Sequence, residues 1–389
     1  MNNIPKLTLL TLLLLAMTTS MSNVAIVTML PHLKDYFKDI SNIEFYSRLM
    51  LTLPSLVIAL LAPILGHFIF KFGKKKSVVI ALFFFSLFGS AGLYLDSIES
   101  LLISRAFFGI SVATLMIVST SLVGDYFKEQ DRHKFMGYQS AFMAFGGVFF
   151  VMGGGFLSDI SWRFPFAIYL MGLVLLPLAF YNLKEVKFDD EKIEQTVHIS
   201  SNILIVYFLG FFFMLIFYIL PTQIPFLIIE KFKASGSLAG IIIATAFFCN
   251  ALGAIAFSKL KTKFNYVTIY LIGIFLMAIG FSFVGLINNV HYFFITSPIL
   301  GFAGGIMMTN VTAWMLSKTS VKKRVKSSGY YTSAIFLGQF LSPVVFHPII
   351  EKLSDIQDFF LVIGIFLFSI IFIFVVKSLF LKPRKVRHD

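Results

Sequence analysis

Long apolar runs, broken by short polar stretches, occupy almost the whole chain. Each run approaches the roughly 20 residues that an α-helix needs to cross a bilayer. The pattern predicts an all-α polytopic membrane protein with twelve transmembrane helices. The first run follows a short polar head without a small-residue cleavage site, so it is expected to stay in the membrane. The predicted spans cover residues 7–30, 46–70, 77–95, 100–125, 135–158, 164–182, 202–229, 236–257, 266–287, 291–316, 328–349 and 357–380.

The longest polar connection, residues 183–201, lies between the sixth and seventh predicted spans. It divides the chain into an N-terminal six-helix half, 1–182, and a C-terminal six-helix half with a short basic tail, 202–389. Each half places a basic loop after its second helix, KFGKKK (71–76) and SKLKTKF (258–264). Such repetition is typical of transporters whose halves enclose a substrate cavity near the middle of the bilayer.

The positive charges follow the predicted topology. Of 32 Lys and Arg residues, 24 fall on the side of the N-terminus and seven on the other side, and Arg105 lies inside a span. Because positive charge marks the cytoplasmic face, both termini and the central loop are expected in the cytoplasm of a cell with the chain in its inner membrane. The net charge of +13 is then a topology signal with some attraction for lipid head groups, and no nucleic-acid partner is expected.

The composition excludes several classes of protein. Only 13% of the residues are charged, against about 25% in soluble domains, which excludes a soluble enzyme or a nucleic-acid-binding domain. The single cysteine, Cys249, allows no disulfide within the chain and no cysteine metal cluster. All acidic residues fall in loops or at helix ends, and neither metal-ligand spacing nor a nucleophile motif is present. We therefore expect no catalytic residues, no metal and no cofactor.

Arg105 is the one charged side chain predicted to lie inside a span. Two interpretations remain open: the side chain could extend to the nearby membrane interface, or it could face the central cavity and bind an anionic group, because a buried guanidinium needs an acceptor. Other polar residues within spans each could bond a neighbouring helix, but together they could line a substrate cavity. With Arg105, the candidate substrate-binding residues are Asn23, Gln139, Tyr218, Gln223, Asn250, Asn310 and Gln339.

Glycines concentrate in the fifth predicted helix, between Gly146 and Gly155, and in the tenth, at Gly301, Gly304 and Gly305. Small residues let helices approach closely. Close packing is predicted at both places, and rocking of the two halves there is a further hypothesis.

Several motifs resemble those of the major facilitator superfamily, in particular its twelve-helix branch of drug and metabolite exporters. The likeness is carried by GHFIFKFGKKK (66–76), by SRAFFG and LVGDYFKEQDR (104–132), by GGFLSDISWRFPF (154–166), and by GFAGGIMMTN (301–310) with FLGQFLSP (336–343). The resemblance implies secondary active transport by alternating access. It also implies a cytoplasmic gate formed by Gly66, Lys71, Gly73, Lys74 and Asp125. In the outward-facing state, Lys71 and Lys74 would pair with Asp125 at the end of the fourth helix.

The chain departs from the family pattern at two motifs. Phe70 stands where the loop motif has Asp, and Phe149 and Phe150 stand where the fifth-helix antiporter motif has Gly-Pro. The membrane-embedded carboxylate that many relatives use for proton coupling is also missing. The candidates for proton coupling are Asp125, Arg105 and His347, and the sequence does not choose among them.

The resemblance favours proton-coupled export of a small amphipathic or anionic compound, a drug or a secreted metabolite such as a siderophore. Proton-coupled uptake of a small organic anion is the alternative, because Arg105 would suit it equally. A membrane enzyme or assembly factor would need a catalytic constellation or a sizeable soluble module, which the sequence lacks. The expected partners are a small-molecule substrate, protons and the bilayer, and one chain could work as a monomer.

Overall fold

The computed structural model describes residues 4–127, 129–184, 201–319, 324–353 and 355–380. In these ranges the chain is helical and contains no β-strand. Short 3₁₀ turns occur at Val27–Met29, Ser90–Leu93, Phe164–Leu170 and Val290–Tyr292, and a π-helical turn occurs at Leu227–Lys231. The α-helices are α1 (Lys6–Val24), α2 (His32–Tyr36), α3 (Ile43–Phe72), α4 (Lys74–Gly89), α5 (Ile98–Tyr126), α6 (Glu129–Ile160), α7 (Met171–Asn182), α8 (Ser201–Phe217), α9 (Ile219–Phe226), α10 (Gly236–Lys263), α11 (Tyr266–Leu286), α12 (Phe293–Ser317), α13 (Arg324–Ile350) and α14 (Ile356–Phe380).

Twelve helical segments of the described chain are long and apolar enough to cross a membrane, which confirms the predicted number of spans. Most spans are single helices, but the seventh, Ile203–Lys231, is broken. It consists of α8, α9 and the π-helical turn, and Tyr218 separates the two helices. Pro221 and Pro225, which cannot donate backbone hydrogen bonds, lie just beyond this break.

Two predicted basic loops are wrong in extent. The loop 71–76 shrinks to Gly73, because α3 runs to Phe72 and α4 starts at Lys74. Gly73 has a φ of 94°, a conformation that glycine adopts without steric cost. The predicted loop 258–264 is almost wholly helical, since α10 continues to Lys263. Lysines in the last turn of a helix interact favourably with its dipole, which apolar patterning does not register.

The first six spans and the last six pack in the same pairwise pattern. The second span packs on the fourth as the eighth packs on the tenth, and the first packs on the fifth as the seventh packs on the eleventh. The third and sixth spans likewise pair as the ninth and twelfth do. We call these groups the first set and the second set.

Two helix pairs join the sets: the fifth span packs on the eighth, and the second packs on the eleventh. Glycines make the fifth and eighth spans approach closely, because a Cβ on Gly155 would lie 2.5 Å from the carbonyl oxygen of Gly236. The tenth span approaches the eighth in the same way, since a Cβ on Gly305 would lie 1.9 Å from the carbonyl oxygen of Asn250. The predicted close packing is therefore present at both glycine groups.

Candidate functional site

The bundle has two unlike faces. The basic face carries Gly73, the ends of α5 and α10 and the start of α13. The opposite face carries the connections 30–42, 94–97, 161–163, 232–235, 287–289 and 351–353. The polar contacts between the two sets described below lie toward the opposite face.

A group of charged side chains joins the two sets at the opposite face. Lys34 Nζ lies 2.5 Å from Glu44 Oε1 in the first set and 3.5 Å from Glu230 Oε2 in the second set. Hydrogen bonding to Glu44, which outweighs partial burial, raises the pKa of Lys34 above its ordinary value. Arg48, which also bonds Glu44, and His347 complete this group, which we call the opposite-face seam.

Arg48 holds the centre of the seam. Its side chain is only 1% exposed, and its Nη2 donates to Glu44 Oε2 at 3.2 Å. Its Nη1 lies 3.2 Å from Nδ1 of His347 in the eleventh span, and its guanidinium carbon lies 4.2 Å from the centre of the Phe226 ring in the seventh. Counting charges along the sequence places this arginine outside the membrane, so the sequence does not predict its role. Only the four-residue spacing from Glu44, which allows a helical ion pair, could have indicated it.

Two further contacts join the sets. Ser55 Oγ, deeper in the second span, donates to Gln339 Oε1 of the eleventh at 3.0 Å. Asp159, at the end of the fifth span, accepts hydrogen bonds from the backbone N–H groups of Gly236 and Ser237 at 2.5 and 2.9 Å. A carboxylate is favourable at this helix N-terminus. At the opposite face the two sets are thus joined both by the ion pairs of the seam and by the Asp159 helix cap.

Side chains of the second span are more exposed toward the basic face than near the opposite face. Its residues from Ser47 to Ser55 are largely buried in contact with the rest of the bundle, whereas Leu60, Ile64 and Phe68 are exposed. In the eighth span, which packs on the fifth, Phe248 and Ile255 are likewise exposed. The helices that join the two sets are therefore less enclosed beyond the seam.

Arg105 is as deeply buried as Arg48 but has a different environment. It lies two turns inside α5, whose start is capped by Ser97, and its side chain is 1% exposed. The rings of Phe108, Phe166 and Tyr169 surround its guanidinium carbon at 4.9 to 5.0 Å. Within the described residues, none of its three guanidinium nitrogens makes a hydrogen bond of good geometry, although the hydroxyl of Tyr169 is close enough to act as an acceptor. Cation–π contacts offset part of the cost of burial, but most of the five N–H donors remain unsatisfied.

Three of the predicted binding residues make contacts between helices. Gln139 donates to Ser119 Oγ at 3.1 Å, Asn310 donates to the carbonyl oxygen of Tyr266 at 3.0 Å, and Gln339 makes the contact with Ser55. These bonds correspond to the packing role that each residue alone could have. A role of these residues in substrate binding stays a prediction.

The other predicted binding residues differ among themselves. Gln223 is fully buried beyond the break in the seventh span, and neither of its amide atoms has a partner among the described residues. Tyr218 is buried at the break itself. Asn250 is half-buried in the eighth span, and the side chain of Asn23 lies outside the described part of the structure. Tyr218 interacts electrostatically with Tyr169, one of the rings around Arg105, but the described contacts do not join the whole set to Arg105.

The predicted gate residues lie together at the basic face. Lys74 Nζ lies 2.6 Å from Asp125 Oδ2, and both side chains are buried. Their contact joins α4 to α5 within the first set and does not cross between the sets. Lys71 is exposed, and no described atom lies within 4 Å of where a Cβ on Gly66 would be.

The polarity of the Lys74–Asp125 pair opposes both helix dipoles. Lys74 is the first residue of α4 and Asp125 lies in the last turn of α5, whereas helix N-termini favour anions and C-termini favour cations. The described residues contain no group of three His, Cys, Asp or Glu side chains that could hold a metal ion.

Comparison with known proteins identifies the family. A family model described as the Major Facilitator Superfamily matches residues 12–223 and 206–389. The chain is 27% identical over 304 residues to Multidrug resistance protein 1 of Bacillus subtilis, covering 74% of this chain and 76% of the relative. It is 24% identical over 385 residues to the class B tetracycline resistance protein of Escherichia coli, covering 95% and 94% of the two chains.

Solved structures share the fold. A bacterial homologue of the human lysosomal transporter Spinster, in an inward-facing and occupied conformation, superposes with a TM-score of 0.76 at 16% identity, covering 95% of this chain and 96% of that one. Together with the resistance proteins, this match confirms the resemblance drawn from the sequence motifs. The chain belongs to the Major Facilitator Superfamily of transporters and, with its twelve apolar spans, is an integral membrane protein.

Proposed function

We propose that this protein exports a small amphipathic or anionic compound in exchange for protons. The basic face would lie in the bacterial cytoplasm, because 24 of the 32 cationic residues belong to that side. The names of two relatives, a multidrug and a tetracycline resistance protein, support export of a drug or of a secreted metabolite such as a carboxylate siderophore. One chain carries both sets and would suffice as the transport unit.

Transport would proceed by rocking of residues 1–182 against 202–389. The seam between Arg48, Glu44, Lys34, Glu230 and His347 closes the opposite face. A closed opposite face supports a state in which substrate enters from the cytoplasm. Release outside would require the seam to open and the basic face to close, with Lys74 and Asp125 holding the gate segment of the first set.

The environment of Arg105 is the observation that indicates an anionic group on the substrate. A guanidinium has five N–H donors and no acceptor, and within the described residues those of Arg105 face three rings and one nearby acceptor, the hydroxyl of Tyr169. Charge-assisted bonds to a carboxylate or phosphonate would satisfy them. The surrounding rings would contact the apolar part of the same compound, and displacement of one ring would admit the anionic group. Arg105 is thus proposed as the anion-binding residue.

Transport in membrane vesicles tests this proposal. Everted vesicles should accumulate a transported compound when their lumen is made acidic relative to the outside, because protons then leave the lumen in exchange for the compound, and a protonophore should abolish that accumulation. Tetracycline, a fluoroquinolone and a citrate-type siderophore form a suitable first panel. Right-side-out vesicles provide the decisive comparison, because gradient-driven accumulation only there would establish uptake of an organic anion and overturn export.

A further inference from the structure

The contact between Arg48 and His347 fixes the protonation of the imidazole ring. Arginine remains protonated at all physiological pH values and can only donate. At 3.2 Å from Arg48 Nη1, Nδ1 of His347 must therefore accept, which places the ring proton on Nε2. His347 is neutral whenever this contact exists.

Several charged groups surround the ring. On its own helix end, Glu351 Oε1 lies 3.3 Å from His347 Nε2. From the second span come Arg48, its partner Glu44 and the ring of Phe45, which stacks on the imidazole at 5.3 Å. Beyond the charges that act on the ring itself, the seventh span places Glu230, which pairs with Lys34, and Lys231, which pairs with Asp355, at the same face.

Water from the opposite face can reach this group. A cleft of about 450 Å³ at that face is lined by residues of both sets. Its polar lining consists of Lys34, Asn42, Glu44, His347, Glu351 and Asp355. A proton therefore has an aqueous route to the ring from the opposite face.

Protonation of His347 is incompatible with the closed seam. It would place an N–H on Nδ1, so that two donors and two positive charges would face each other at the present separation. The imidazolium would instead be attracted by Glu351, which belongs to the same set. Protonation thus removes a bond between the sets and strengthens one within the second set.

We propose that His347 senses the pH at the opposite face, and that its protonation releases Arg48 and opens the seam. The closed state excludes the added proton and the open state accepts it, so acid on that side favours the open state. In the proposed orientation, external acid would favour the outward-open transporter. The inference rests on the two-state rocking of the proposed function, but not on the substrate or on the direction of transport.

Distance measurement between two spin labels tests this directly and needs no substrate. Labels are attached to Ser41→Cys in the first set and Asn288→Cys in the second, both exposed at the opposite face, with Cys249 replaced by serine. The full-length protein in lipid nanodiscs is then measured by double electron–electron resonance from pH 8 to pH 5. A failed transport assay would leave this result unaffected.

The wild-type background should shift from a short to a long distance as the pH falls. Below the titration midpoint, each pH unit should raise the open-to-closed ratio by up to about tenfold. His347→Asn should stay closed at every pH, because its amide oxygen can accept from Arg48 but does not titrate. His347→Lys should be open even at pH 8. If the asparagine variant does not fold, His347→Gln provides the same uncharged test.

His32→Asn is the matched control, since His32 also lies at the opposite face but makes no described contact with Arg48, and it should retain the full response. A wild-type distance that does not depend on pH would overturn the proposal. So would a response that survives in His347→Asn and disappears in Glu44→Gln or Glu230→Gln, because a carboxylate would then be the sensor.

Discussion

Arg48 and Arg105 are two arginines of the same set with the same burial and opposite surroundings. Each is 1% exposed, and each lies within the first two turns of a span that starts at the opposite face. Arg48 contacts a carboxylate, an imidazole and a ring, and two of these belong to the other set. Arg105 contacts three rings of its own set and, in the described structure, has no carboxylate partner and no hydrogen bond of good geometry; the nearby acceptor is the hydroxyl of Tyr169.

The difference supports the proposal that Arg48 is a structural cation and that Arg105 is available to a ligand. Burying a charge costs several kcal/mol unless it is paired. At Arg48 the pairing depends on the closed seam, so the charge stabilises one conformation of the transporter. At Arg105 the surroundings do not depend on the seam, and a bound anion would recover the missing hydrogen bonds. Burial alone therefore does not assign a role to an intramembrane arginine.

Breaking the Lys74–Asp125 ion pair should give the largest loss of stability, because both charges are paired. Asp125→Lys alone should lower the stability by about 3 to 5 kcal/mol, because it leaves Lys74 buried beside a like charge. Lys74→Asp combined with Asp125→Lys should restore stability to at least the wild-type level, since the swapped pair agrees with both helix dipoles. Thermal unfolding of the purified protein measures both.

Lys76→Asp, at an exposed position of the same segment, is the control and should change stability by no more than about 0.5 kcal/mol. A double variant that is no more stable than Asp125→Lys would show that Lys74 and Asp125 do not stabilise each other.

Arg105→Met should reduce transport about 100-fold without lowering stability. The substitution keeps most of the side-chain volume and removes donors that make no hydrogen bond of good geometry and have only the Tyr169 hydroxyl nearby, whereas each lost charge-assisted bond to a substrate anion costs about 1.5 to 3 kcal/mol. Gradient-driven transport in vesicles and thermal unfolding are measured on the same preparation. Phe107→Ala, an exposed neighbour on α5, serves as the control.

Unchanged transport by Arg105→Met would exclude its role in substrate binding. A large loss of stability in that variant would instead place Arg105 with Arg48, as a residue that the fold requires.

The spans could be predicted from sequence, because the bilayer sets the length of each apolar run. Gly73 as a one-residue connection could not be, since hydropathy does not distinguish a charged loop from a charged helix end. The enclosure of Arg105 was only partly foreseeable: its depth follows from its position, but Phe166 and Tyr169 reach it from another span.

The seam was beyond sequence reasoning for a related reason. Arg48 lies near the start of a span, where charge counting assigns it to a loop. Its partner His347 lies 299 residues away, and the pairing depends on how the second span packs on the eleventh. Gln139 and Asn310 show the same limit, because their hydrogen-bond partners are defined only by the packing of other helices.

Arg48→Met should weaken the seam, whereas Arg105→Met should leave the seam unchanged. The change at Arg48 leaves Glu44 and His347 without their shared partner, so the closed state should weaken by about tenfold relative to the open one, equivalent to about 1.4 kcal/mol. The spin-label distance at pH 8, where the wild type is closed, reports this directly. Retention of the wild-type distance would show that the Lys34 ion pairs and the Asp159 cap suffice to close the face.

Ser55→Ala should have the smallest effect. It tests the uncharged part of the contact between the second and eleventh spans. The bond from Ser55 to Gln339 involves no charge, so its loss should weaken the closed state by about 1 kcal/mol, or roughly fivefold. The effect should be independent of pH, because neither group titrates, whereas the effect of Arg48→Met should vanish at low pH once His347 is protonated and the contact is already broken. If the difference between Ser55→Ala and the wild type depended on pH, the neutral bond and the charged seam would open as one unit. The contribution of Arg48 could then not be separated from that of the pair formed by the second and eleventh spans.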